Sequence, residues 1–147
     1  MKIEIPCHCA HKSNGQFIVC AEKGRKISFL NPNKRAIVRF SIDGCSGLRE
    51  IIKKPGCKLC DFLVVDWRAN EHYVELKGCN VEHALKQLES TIEIFRLSGL
   101  TKRFFCWIIT SESPASQSKF QVLKAKFEKK FNARLTIRTN QHEYCLE

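Results

Sequence analysis

The sequence predicts an α/β fold, a mixed central β-sheet flanked by helices with an N-terminal antiparallel β extension, and three observations lead to it. Short runs rich in β-branched and aromatic residues recur between turn-forming residues through the first half of the chain. An unbroken apolar run, Phe104-Phe105-Cys106-Trp107-Ile108-Ile109-Thr110, has the pattern of a strand covered on both faces. Two stretches, beginning near Val81 and Phe120, carry apolar residues at helical spacing instead. With 147 residues the chain is the size of one domain, and we read 1–147 as a single unit.

Taken in order, Phe17-Ile18-Val19-Cys20 predicts a strand over residues 16–20, and two more are expected over 26–30 and 35–42, with Asn31-Pro32-Asn33-Lys34 as the turn between them. These three are expected to form a small antiparallel sheet. Residues 46–54 predict a short helix, stopped by Pro55-Gly56. Asp61-Phe62-Leu63-Val64-Val65-Asp66 and His72-Tyr73-Val74-Glu75-Leu76-Lys77 predict a strand pair joined through the polar residues 67–71. Val81, Leu85, Leu88, Ile92 and Phe95 recur in steps of four and three, which predicts a helix reaching to about Ser98, with Gly99 as its stop. The apolar run from Phe104 follows as an internal strand. Phe120, Leu123, Phe127 and Phe131 mark a basic helix, and Leu135-Thr136-Ile137-Arg138 a last, edge strand. The alternation of strands and helices packs the helices onto one mixed sheet.

Composition narrows the class of function. A hydrophobic fraction of 44% and a charged fraction of 27% are those of a globular domain. No apolar run approaches the length that spans a bilayer, and the start Met1-Lys2-Ile3-Glu4-Ile5-Pro6-Cys7 lacks the pattern of a secretory signal, so a cytoplasmic protein without membrane association is expected. The nine cysteines are odd in number and irregularly spaced, which points to reduced thiols that mostly pack in the core. A net charge of +10 and a pI near 9.3 favour a polyanionic partner, because Lys and Arg that dock on phosphates release condensed counterions.

The strand pair carries the candidate chemistry. Side chains two apart on a strand share a face, so Glu75 and Lys77 project together. A hairpin turning about Arg68 sets Asp61 opposite Glu75, and directly opposed residues have Cβ atoms about 4.5–5.5 Å apart. Two carboxylates at that separation can hold one hard cation such as Mg²⁺, with Lys77 at its edge. A carboxylate-bound Mg²⁺ neutralises phosphoryl oxygens and lowers the pKa of water, and a Lys beside it can position that water. On an exposed hairpin the same three residues would be solvated charges of small consequence. Leu63, Val65 and Tyr73 share their face, however, so the helix from Val81 is expected to cover much of it and leave the charges near a cleft.

The segments Lys58-Leu59-Cys60-Asp61-Phe62-Leu63-Val64 and Tyr73-Val74-Glu75-Leu76-Lys77-Gly78, followed by a helix bearing Gln87, resemble the core of the PD-(D/E)XK nuclease superfamily over roughly residues 42–110. The resemblance implies a restriction-endonuclease-like core. It also implies that Asp61 and Glu75 are ligands of Mg²⁺, or of Mn²⁺ in its place, and that Lys77 is the catalytic lysine. Gln87 matches a position where several members carry a polar residue near the scissile phosphate. Cys60 stands where the motif has Pro, a residue that is not a ligand. The extra acid that many members carry upstream is Asp43 or Glu50, and we favour Asp43, which ends a strand beside Gly44. The activity implied is hydrolysis of phosphodiesters in DNA, more than RNA, by the protein alone, as a homodimer or with a partner protein.

Lys53, Lys54, Lys58, Arg39 and Arg68 are candidates for a phosphate-binding rim, with Trp67 and Arg68 at the hairpin tip available to stack on bases. Cys57-x-x-Cys60 and Cys7-His8-Cys9-Ala10-His11 offer metal ligands, but without a second Cys-x-x-Cys we read them as packing or loop thiols. Two other classes of function stay open: a catalytically inactive nucleic-acid-binding module of the same fold, and a protein-interaction domain whose charged hairpin pairs with acidic surfaces.

Overall fold

The computed structural model describes residues 5–53, 56–78, 80–95, 104–111 and 117–146. A 3₁₀ turn at Cys7–Cys9 precedes strands β1 (Ala10–Ser13), β2 (Phe17–Glu22), β3 (Arg25–Leu30) and β4 (Ile37–Ser41). Helix α1 (Ser46–Ile52), the hairpin of β5 (Phe62–Val65) and β6 (Glu71–Lys77), and helix α2 (Val81–Phe95) follow. Strand β7 (Phe104–Thr110), helix α3 (Gln117–Phe131), β8 (Ala133–Thr139) and β9 (Gln141–Cys145) complete the order. The chain is thus a mixed α/β protein, and among the described residues no helix is long and apolar enough to cross a membrane.

The main sheet has six strands in the order β1-β4-β5-β6-β7-β8, and a second sheet has three in the order β2-β3-β9. Pairing in the main sheet is antiparallel from β1 to β6 and parallel from β6 to β8. The parallel part needs crossovers, and α2 and α3 supply them. One face of the main sheet, with Leu63, Tyr73, Cys106, Ile108 and Leu135, packs on Leu48 of α1 and on Leu85, Leu88, Ile92 and Phe95 of α2. Each such side chain, once buried, contributes about 1.5–3 kcal/mol. The opposite face, with Val64, Val74, Leu76, Trp107 and Ile109, is covered by Ile18, Cys20, Ile27 and Phe29 of the second sheet. Burial on both sides explains the unbroken apolar run of β7.

The β5–β6 register, Phe62 opposite Val74 and Val65 opposite Glu71, is that of a hairpin centred on Arg68. Asp66 fixes its turn: the backbone N–H groups of Arg68 and Asn70 each donate to Asp66 Oδ1 at 2.9 Å, and Asn70 Nδ2 donates to Oδ2 at 3.0 Å. The turn at 31–35 is tied in the same manner. Buried Asn31 donates from Nδ2 to the carbonyls of Gly15 and Arg35 and accepts from the Arg35 N–H.

Four expectations need correction or limits. The early strands do not form one antiparallel sheet, because β4 pairs with β5 in the main sheet while β2 and β3 pair in the second. The strand at Leu135 is an edge strand but not the last; β9 follows and pairs parallel to β3. The chain changes sheets at Asn140, which adopts a left-handed φ of 61° while its N–H donates to Thr110 O and its carbonyl accepts from Lys26 N. The helix from Val81 is described to Phe95, and residues 96–100 with the expected stop lie outside the described residues. Finally, the thiols are not all reduced: Cys9 and Cys45, 36 positions apart, form a disulfide with their Cα atoms at 6.0 Å, ordinary spacing for such a bond. Of the remaining cysteines, Cys20, Cys60 and Cys106 are buried, and burial raises the thiol pKa of Cys20 and Cys60.

Candidate metal centre

Asp61 stands just ahead of β5, held on three sides. Its N–H donates to Val74 O at 3.1 Å, its carbonyl accepts from Ile42 N at 2.9 Å, and its Oδ2 accepts from Leu76 N at 2.8 Å. Two side chains of α2 fix the residues before it. Thr91 Oγ1 accepts from Cys60 N and donates to Gln87 O, both at 2.7 Å, and Gln87 Nε2 donates to Leu59 O at 3.2 Å. Cys60 is buried on the helix side of the sheet, within the core beneath α2. Gln87 thereby positions Asp61, while its Oε1 is enclosed without a partner.

Glu75 lies at the centre of β6 with 2% of its surface exposed, and one carboxyl oxygen, Oε1, is buried with no hydrogen-bond partner. The carboxyls of Asp61 and Glu75 lie close enough to act on one another electrostatically. Burial pushes Asp61 up to about 6, against the pull of the Leu76 N–H. Burial and then the charge of Asp61 push Glu75 up to about 9, with Lys77 acting in the opposite sense. Two acids so placed repel one another when both are charged.

Asp61 opens onto a cleft of about 280 Å³ lined by Ala21, Glu22, Ser41, Asp43, Gly44 and Phe62. Asp43 lines the cleft and acts electrostatically on both Asp61 and Glu75, although among the described residues the three carboxylates do not gather as one ligand-spaced group, and exposed Glu50 of α1 is not among the cleft residues. Arg49 holds Asp43 in place through an ion pair with Oδ1 and a bond from Nε to the Asp43 carbonyl, and its Nη1 donates to Cys57 O. Glu22, at the end of β2, is a fourth acid that the sequence reading missed; its charge raises the pKa of Asp61. No pattern around Glu22 announces it, because it reaches the cleft only through the packing of one sheet on the other.

Positive charge gathers on the α2 side. Lys77 lies two residues beyond Glu75 and acts on both Glu75 and His83. Asn80 caps α2 by accepting from His83 N at 3.0 Å. His83 Nε2 lies 2.8 Å from Lys58 Nζ, and Lys58, Lys77 and Lys86 together hold its pKa below the usual value. Lys53 is exposed at the end of α1 with a left-handed φ of 53°, and Lys54 lies outside the described residues. Arg68 stacks over the Trp67 ring at 5.3 Å, and Trp67 packs on the core of the second sheet. Arg39 is turned inward: Nη1 donates to Val19 O at 2.6 Å and the guanidinium lies over Phe62, so it ties the two sheets together beneath the cleft. A separate groove of about 240 Å³ between α2 and α3 has an apolar floor of Leu85, Leu123, Phe127 and Phe131 and lacks this grouping of acids.

Compared with known proteins, the chain matches no family model, no curated protein and no solved structure. The residues fit a hard divalent ion on their own terms: an all-oxygen donor set, a Glu75 oxygen buried without a partner, and an open cleft at Asp61.

Proposed function

We propose that this protein is a Mg²⁺-dependent nuclease of the restriction-endonuclease-like kind, hydrolysing phosphodiester bonds in DNA. The observation that carries the reading is half-buried Asp61, which lines an open cleft and acts on buried Glu75, with one Glu75 oxygen unpartnered and Lys77 two residues along the strand. The order α1, β5–β6 hairpin, α2, β7 supports the core that the sequence resembles. Asp61 and Glu75 would hold the ion, with Asp43 as a further ligand; Glu22 adds negative charge that favours any cation there. The ion supplies charge neutralisation at the phosphoryl oxygens and a water of lowered pKa.

The chain's own side chains do the rest. Leu76 N–H orients the Asp61 carboxylate, and Thr91 and Gln87 hold the backbone behind it, so the pair is set before substrate arrives. Lys77 positions the attacking water and takes up or returns its proton. Lys58, Lys77 and Lys86 supply the positive surface on which a DNA backbone seats, and the +10 net charge attracts it. Among the described residues, the free thiols Cys7, Cys20, Cys57, Cys60, Cys106 and Cys145 suit a cytoplasmic setting.

The test is cleavage of single-stranded, duplex and branched DNA and of RNA with Mg²⁺ or Mn²⁺. Asp61→Asn and Glu75→Gln are expected to abolish cutting, and Lys77→Ala to slow it by a factor on the order of 10² or more while metal binding persists. If the wild type binds DNA in a salt-dependent manner but cuts nothing, the chain is the inactive binding module. If Glu75→Gln cuts as fast as the wild type, the site is misassigned.

A further inference from the structure

We propose that Cys9, Cys45 and His8 form a second metal site, selective for Zn²⁺ and open only when the Cys9–Cys45 disulfide is reduced. One ligand atom from each of the three lies within 4.8 Å of the other two, with Cys45 brought from 36 positions along the chain to the adjacent His8 and Cys9. The donor set is two sulfurs and an imidazole, which Zn²⁺ takes readily and Mg²⁺ does not, so this site and the carboxylate cleft select different metals.

The surroundings are built for it. Cys45 is 1% exposed, directly ahead of α1, while His8 and Cys9 sit side by side in the first turn of the described chain. The His8 ring is seated over Gly47: a Cβ there would lie 3.1 Å from His8 Cε1 and 3.3 Å from Pro6 Cγ, so the absence of a side chain makes room for the imidazole. Two sulfurs on one tetrahedral zinc lie about 3.8 Å apart, and Cα atoms at 6.0 Å reach that separation by side-chain rotation alone. Three protein ligands leave a fourth position for water.

The disulfide and the metal site exclude one another. A dithiol reductant supplies two electrons and two protons, becoming a disulfide itself, and leaves Cys9 and Cys45 as thiols; each gives its proton to solvent as its sulfur binds the metal. Either link ties the Cys7–Cys9 turn to the residue two beyond Asp43, and so to the wall of the acidic cleft.

The experiment uses the full chain, reduced with a dithiol, desalted under argon and titrated with Co²⁺ as a spectroscopic stand-in for Zn²⁺. Reduced protein is expected to develop a sulfur-to-cobalt charge-transfer band at one ion per chain, bleached by one equivalent of Zn²⁺, while oxidised protein develops none. Cys9→Ser and Cys45→Ser should lose the band, and His8→Ala should weaken binding by tenfold or more. Cys57→Ser and Asp61→Ala should leave it unchanged, which separates this site from the carboxylate pair whether or not the protein cuts DNA. The comparison of oxidised and reduced wild type stands even where a variant fails to fold. No thiolate band in the reduced wild type, or a band that persists in folded Cys45→Ser, overturns the proposal.

Discussion

Glu75 keeps a carboxyl group in the core with one oxygen unpartnered, an arrangement that stability alone would remove. Its pKa, about 9 against an ordinary 4.5, means that the folded, metal-free protein holds a proton that the unfolded chain gives up. The folded state therefore binds more protons through that window, and stability must fall as pH rises from about 4.5 to about 9. Asp61 adds a narrower loss below about 6. Glu75→Gln removes the larger effect. Its melting temperature at pH 8 without metal should exceed that of the wild type by several degrees, a gain on the order of 1–2 kcal/mol at about 2–4 °C each, and Mg²⁺ should stabilise the wild type alone. Melting of metal-free wild type that is flat from pH 5 to 9 would contradict this. The nearness of Asp61 to Glu75 was legible in the sequence because strand alternation and hairpin register are local rules. Glu22 was not, nor the Cys9–Cys45 bond, because both arise where distant segments meet.

The hairpin is the element on which the site depends, since its register decides whether Asp61 meets Glu75 or slips past it. Asp66 anchors that register with three accepted hydrogen bonds, and its Oδ2 also lies 3.7 Å from Nε2 of buried His72. Trp107 Nε1 donates to His72 Nδ1 at 3.2 Å, which leaves the His72 Nε2–H directed at Asp66. Burial works to raise the Asp66 pKa, but His72, Asn70 and the Arg68 N–H outweigh it and bring it down to about 2. A lowered carboxyl pKa contributes stability above the unfolded value of 3.8, lost as pH falls through about 2. Asp66→Ala should therefore destabilise the protein by about 2–3 kcal/mol at neutral pH, measured by denaturant unfolding, and the deficit should shrink towards pH 2. A loss below about 0.5 kcal/mol would mean that the turn holds without it. The hairpin, α2 and β7 could be read from sequence because each buries a periodic or continuous apolar set. Strands β1 and β9 could not: Ala10-His11-Lys12-Ser13 and Gln141-His142-Glu143-Tyr144-Cys145 bury no residue fully and carry no apolar alternation in their sequences, and pairing with β4 and β3 makes them strands.

At the scale of the whole molecule, two sheets pack face to face and the acidic cleft lies where their strand ends diverge, Glu22 from one and Ser41, Asp43 and Asp61 from the other. The six-stranded sheet makes that geometry rigid, with α2 holding Leu59 and Cys60 on one side and Arg39 reaching across to Val19 on the other. The mixed α/β class was readable from the order of elements. The division into two sheets was not, because the choice of partner for β4 and β9 is made by long-range pairing that no local pattern encodes. The claim on which the functional reading rests is that Asp61 and Glu75 jointly hold a hard divalent cation. Anomalous diffraction from crystals of the wild-type protein soaked in Mn²⁺ tests it most directly. The expected result is a peak bonded to one oxygen from each of Asp61 and Glu75 at about 2.1–2.3 Å, absent from Glu75→Gln crystals; no peak there in the wild type, or an undiminished one in the variant, would contradict the account.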